Sequence, residues 1–200
     1  MLFVAPPILS RRLLRSRLLA SLVLGLALLL VDAAGAKQPL KVGDVPPDNL
    51  GRTLKGERVK LSDYRGKVVI VTFWASWCGP CRQELPVMAG IQNRVSRDQL
   101  VVFAVNWKED RDRFREIAKI LKSADLSLVS DSDGYYGGQY DVTGIPHMDI
   151  IGRDGRIAAI HIGYGEGEIP TLVDEINGLW TSSSPPAPTS ETTPESPATD

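Results

Sequence analysis

Two runs of apolar residues stand out along this chain: Val68-Val69-Ile70-Val71-Thr72-Phe73-Trp74, and the stretch 100–105. Both are dominated by β-branched and aromatic side chains without polar alternation, so each predicts a strand buried on both faces. Between them the period changes. Cys81, Leu85, Met88, Ala89 and the Ile91-Gln92 pair recur every three to four residues, predicting a helix that begins near Cys78. Pro80 falls in its first turn, where a missing N–H costs nothing. A second amphipathic helix is expected over 110–123, with Phe114, Ile117, Ala118 and Leu121 on one face. Alternation on either side of Gly56 predicts an opening hairpin over 50–63. Residues 148–151, a turn at Arg153-Asp154-Gly155, and residues 157–162 predict a closing hairpin, followed by a helix over 169–180. Strands that alternate with helices and end in a hairpin predict an α/β fold, a mixed central sheet flanked by helices.

The two ends of the chain read differently. Arg11, Arg12, Arg15 and Arg17 precede an apolar stretch over 18–31, and Ala34-Gly35-Ala36 offers a small-residue cleavage site. Residues 1–36 therefore predict a signal peptide or membrane anchor and an exported protein, soluble after cleavage or held by that segment. Residues 181–200 carry only Thr, Ser, Pro, Ala, Glu and Asp, too little apolar surface to fold, and predict a disordered tail. What remains, 40–180, is enough for one domain with a core. A net charge of −1 gives no reason to expect a nucleic-acid partner.

Candidate chemistry is concentrated in Trp77-Cys78-Gly79-Pro80-Cys81, which holds both cysteines of the chain. A bridge closing so short a loop removes little chain entropy, so its value must be chemical. Positions i and i+3 of a helix share a face and can be bridged. At the helix start, unpaired N–H groups and the positive dipole end favour a thiolate, making Cys78 the exposed, attacking sulfur and Cys81 the resolving one. A zinc site would need two further ligands, and only His147 and His161 could help. Cys78, Cys81 and a histidine could alternatively hold Cu(I).

The segment from Phe73 to Pro86, FWASWCGPCRQELP, resembles the active-site segment of the thioredoxin superfamily, in particular its exported TlpA/ResA/DsbE-like branch. Tyr140-Asp141-Val142-Thr143-Gly144-Ile145-Pro146, followed by Arg153-Asp154-Gly155-Arg156-Ile157, resembles that family's cis-proline loop and hairpin. The resemblance implies a thioredoxin-like fold with an N-terminal hairpin extension. Its redox group would be the Cys78–Cys81 disulfide, with no cofactor or metal. It also implies that Trp77, Gly79, Pro80, Ile145 and Pro146 meet the client chain, and that Glu84 serves as acid and base for Cys81. Thioredoxin itself keeps a carboxylate on the strand entering the site, where this chain has Thr72.

A second departure lies at His147 and Asp149, where the branch carries apolar residues. Two apart on a strand, their side chains leave one face and can pair. One reading is a pair beside the disulfide that tunes the thiol or touches substrate; the other is a solvated face. Tyr135, Tyr136 and Tyr140 read as packing residues, Trp107 as core or rim, and His161 as structural. The Gly-Pro dipeptide resembles reducing thioredoxins, near −270 mV, more than the oxidant DsbA, near −120 mV. The resemblance then implies clients such as apocytochrome c or copper-delivery proteins, and a membrane thiol-relay donor of the CcdA/DsbD kind. A disulfide oxidase or isomerase is the opposing direction. The family's peroxidatic loop is absent, and intact cysteines disfavour a non-catalytic interaction domain.

Overall fold

The computed structural model describes residues 38–181, so the leader expected over 1–36 and all of the tail expected over 181–200 but its first residue, which ends the last helix, lie outside the described residues. The elements run β1 (Asn49–Thr53), β2 (Arg58–Lys60), β3 (Val68–Trp74), α1 (Gly79–Arg94), β4 (Leu100–Trp107), α2 (Arg111–Ile120), β5 (Ser127–Asp131), α3 (Tyr135–Gln139), β6 (His147–Ile151), β7 (Ile157–Ile162) and α4 (Ile169–Thr181). One seven-stranded sheet has the order β2-β1-β5-β4-β3-β6-β7. β3, β4 and β5 are parallel, while β1, β2, β6 and β7 join by antiparallel pairing. This is the mixed sheet of a thioredoxin-like fold, with the expected hairpin as its N-terminal extension.

β3 and β4 are buried at every position, which explains their nearly unbroken apolar runs, and the polar members, Thr72 and Asn106, are hydrogen-bonded to buried carboxylates. Their alternate side chains feed two cores. Val69, Val71 and Phe73 join Val101, Phe103 and Val105 on one face, with Leu50, Tyr140 and Val142. Val68, Ile70, Leu100 and Val102 point the other way, against Met88 of α1 and Leu172 and Ile176 of α4. Ile117 of α2 packs beside Leu85 of α1 and Trp74. The three longer helices thus share one face, and the opposite face is covered by α3, the 3-10 turn Leu61–Tyr64 and the segment around Leu40. Gln92 fastens the end of α1 to the sheet: its amide donates to the carbonyls of Val95 and Leu100 and accepts from the Val102 N–H.

Several expectations are corrected. β5, with α3 after it, was not foreseen, because Ser127-Leu128-Val129-Ser130-Asp131 carries only two apolar residues and occupies an interior position by pairing with β1 and β4. The opening hairpin ends at Lys60, and residues 61–64 form a 3-10 turn. The helix expected over 110–123 closes at Ile120 and continues as a 3-10 turn, with Asp110 capping its start through bonds from the Asp112 and Arg113 N–H groups. Tyr140 is buried as expected of a packing residue, whereas Tyr135 is exposed. Gly51 has φ +125°, and an added Cβ would stand 2.6 Å from the Ser130 carbonyl oxygen, so only glycine lets β1 lie this close to β5.

Candidate active site

Buried β3 delivers the chain to one end of the sheet, and the turn at residues 75–78 feeds α1. Cys78 is the N-cap of α1, with extended backbone, and its sulfur accepts from the Cys81 N–H at 3.2 Å. Pro80 stands in the first turn. Cys78 and Cys81 are joined as a disulfide with their Cα atoms 5.3 Å apart. Cys78 is 5% exposed and Cys81 fully buried, so the expected difference in access exists but is small. The exposed surface around the bridge is supplied by Trp77, 61% exposed, and by Pro80. The helix start gives Cys78 sulfur both a direct N–H donor and the positive dipole end, the two influences that stabilise a thiolate.

The Ile145–Pro146 peptide bond is cis, and the Ile145 carbonyl oxygen lies 3.6 Å from Cys78 Sγ. The loop 140–146 therefore faces the disulfide, bringing together residues far apart in sequence.

Behind Cys81, one helical turn on, Glu84 is 1% exposed. Thr72 Oγ1 donates to Glu84 Oε1 at 2.5 Å. Burial raises the Glu84 pKa to about 7, against the lowering effects of the Thr72 hydrogen bond and the nearby His161. Thr72, which stands where thioredoxin carries its strand carboxylate, thus holds a carboxylate that comes from the helix.

His147 and Asp149 lie elsewhere. In the β3–β6 register Val71 faces Asp149 and Phe73 faces His147, whereas Thr72 faces Met148. Directly opposed residues share a face, so the pair lies on the sheet face away from α1 and Glu84, with His147 edge-on to Phe73. Both side chains are buried, Asp149 at 0% exposure, which overturns the solvated reading. His147 Nε2 and Asp149 Oδ2 are 3.4 Å apart. Burial raises the Asp149 pKa, and His147 opposes that rise. His161 Nε2 meets Glu175 Oε2 at 2.7 Å on α4. His161 is engaged with Glu175, and His147 lies on the sheet face away from the helix that carries the cysteines, so neither favours the copper or zinc reading.

A clamp on the active-site turn was not foreseen. Ser76 donates from both its N–H and its hydroxyl to the buried Glu109, which also accepts from Asn106 Nδ2 at 2.6 Å. The Ser76 carbonyl accepts from Arg82. Glu109 lies two residues beyond β4 in a polar stretch, where sequence offers no sign that the acid is buried.

The comparisons agree with this geometry. The family model described as AhpC/TSA family matches residues 42–160. Thioredoxin-like protein YneN of Bacillus subtilis is 35% identical over 126 residues, 62% of this chain and 73% of the relative. Thiol-disulfide oxidoreductase ResA of the same species is 29% identical over 156 residues, 77% of this chain and 87% of the relative. A solved structure assigned to thiol:disulfide interchange protein DsbE from Chlorobium tepidum superposes with a TM-score of 0.63 at 34% identity, covering 70% of this chain and 98% of that one. With Cys78 capping the helix that carries Cys81 and a cis-proline loop facing their disulfide, the chain belongs to the AhpC/TSA family and is a thioredoxin-like thiol-disulfide oxidoreductase.

Proposed function

We propose that this enzyme is an exported reductant of protein disulfides, working through the Cys78–Cys81 dithiol. The observation that carries the reading is the seat of Cys78 at the start of α1, where its sulfur accepts the Cys81 N–H while a buried carboxyl waits one turn behind Cys81. The Cys78 thiolate attacks one sulfur of the client disulfide, forming a mixed disulfide and expelling one client thiolate. Cys81 then passes its proton to the Glu84 carboxylate and attacks Cys78 Sγ. That step breaks the mixed disulfide, releases the second client thiolate and closes the Cys78–Cys81 bond, so two electrons pass to the client. A carboxyl that titrates near neutrality suits that proton transfer.

Trp77, Gly79, Pro80, Ile145 and Pro146 form the client-facing surface in this reading, with Ile145 offering backbone groups to an extended chain. The basic and apolar leader over residues 1–36 supports export, with the enzyme free or anchored. The Gly79-Pro80 dipeptide supports the reducing direction. Clients of the apocytochrome c or copper-delivery class, and recharging by a membrane thiol relay of the CcdA/DsbD kind, complete the proposal. Equilibration with defined dithiothreitol couples tests it: a potential near or below about −270 mV is expected, and one near −120 mV would make the enzyme an oxidant instead.

A further inference from the structure

Between α1 and α2 runs a groove of about 740 Å³ that the exchange chemistry does not use. Its apolar walls include Leu85, Pro86 and Ala89 from α1, facing Ile117 and Ile120 from α2. Ile120 is 78% exposed, so the apolar wall continues out to solvent along α2. The charged residues of the lining are Arg82 and Arg113, and no carboxylate lines it.

The polarity of the groove follows from topology. β3, β4 and β5 are parallel, so α1 and α2 both run back from the same end of the sheet and have their first turns together at the disulfide end. Arg82 and Arg113 belong to those first turns. Ile120 and Ala89 lie further along. The groove is therefore basic beside the disulfide and uncharged away from it, where Ala89, Ile120 and Leu121 stand with Asn93 and Ser123. Arg113 also meets Glu116, but in an exposed pair of the kind worth little, and Arg82 has donors beyond the one given to the Ser76 carbonyl.

We infer that this groove docks the client polypeptide next to its disulfide, taking a segment with a carboxylate close to the cysteine and aliphatic side chains beyond it. The inference rests on the function proposed above and adds the client's chemistry. From Arg113 to Ile120 the helix advances roughly 10 Å, which an extended client chain covers in about three residues.

The test uses the full chain, reduced and in excess over peptide. Each probe is a peptide whose cysteine is held as a mixed disulfide with thionitrobenzoate, so that attack by Cys78 joins protein to peptide and expels the coloured thiolate. In the first probe Glu follows the cysteine after two residues and Leu-Ile-Leu follows Glu. The second replaces Leu-Ile-Leu by three serines, the third replaces Glu by Lys, and each is made in both chain directions. The first probe is expected to react about tenfold faster at subsaturating concentration, the least that burying aliphatic side chains should give. Ile120→Asp should abolish the advantage over the serine probe, and Arg113→Glu should transfer the preference to the Lys probe. Both variants should reduce dithionitrobenzoate at the parent rate. Three probes with equal rates, or a preference that survives both substitutions, would overturn the groove while leaving the proposed function intact. Failure to reduce dithionitrobenzoate at all would instead overturn the proposed function and this inference with it. A concentration-dependent dimer that Ile120→Asp dissociates, without peptide discrimination, would assign the groove to a second copy and also overturn it.

Discussion

Thr72 Oγ1 donates to Glu84 Oε1 across the contact between β3 and α1, while the other carboxyl oxygen, Oε2, is buried without a hydrogen-bond partner. One oxygen is thus fixed and the other is free to take up or release a proton. Burial favours the neutral acid and the Thr72 bond favours the carboxylate, and between them the group titrates at about 7. The strand supplies the donor and the helix supplies the charge.

Glu84→Gln should remove the step near pH 7 from the pH dependence of mixed-disulfide resolution and slow that step by up to about a hundredfold. Thr72→Val acts in the opposite sense. It deletes a bond that stabilises the ionised form, so the same step should move to higher pH. Stopped-flow exchange between about pH 5 and 9 follows both changes. A Gln variant that kept the step would remove Glu84 from the mechanism.

The same carboxyl makes stability depend on pH. Its pKa is raised from 4.5 to about 7 on folding, so the neutral form is favoured by the native state. Stability is then fully present below pH 4.5 and is lost as pH rises through 7, by roughly 3 kcal/mol in full. Glu84→Gln keeps the neutral shape without the ionisation. Urea denaturation should find it close to the parent at pH 4 and more stable at pH 8.

Glu109 holds Ser76 and Asn106 at once, and so holds the turn that presents Cys78. Glu109→Ala leaves a buried amide and a backbone N–H without their acceptor, a loss of about 2–3 kcal/mol. If Glu109 positions the turn, the variant should also shift the reduction potential and raise KM for a peptide disulfide. Glu109→Gln, which preserves one acceptor oxygen, should recover part of each effect. Lost stability with an unmoved potential would make the residue purely structural.

The active-site helix and its two flanking strands were legible because their signals are local. A doubly buried strand needs an unbroken apolar run, and the helix needs its repeat and a proline at the start. Ser127 to Asp131 gave no such signal: with β1 and β4 on either side, the backbone of β5 is satisfied by neighbours distant in sequence. Glu109 and Tyr135 failed for the same kind of reason. Whether a carboxylate is buried or a tyrosine exposed depends on what the fold lays over it. The shared face of His147 and Asp149 followed from a period of two, but which face it was depended on the register with Val71 and Phe73.

That register decides the last prediction. Asp149 is buried in the core that contains Phe73 and Tyr140, burial favours its neutral form, and His147 Nε2 stands 3.4 Å from its Oδ2. His147→Leu therefore leaves a buried carboxyl group without its polar neighbour and should destabilise the protein by about 1–3 kcal/mol. Adding Asp149→Val removes that buried polar group. Because leaving one buried polar group unpartnered costs more than replacing both by apolar side chains, the double variant should regain the parent stability or exceed it. The pair stands on the far face of the sheet from Glu84, and β3 separates it from α1. Its joint removal should consequently leave the Cys78–Cys81 potential within about 30 mV of the parent, equivalent to 1.4 kcal/mol for a two-electron couple. A larger shift, measured in the folded double variant, would mean that the pair tunes the thiols through Pro146, the residue next to His147 in the chain.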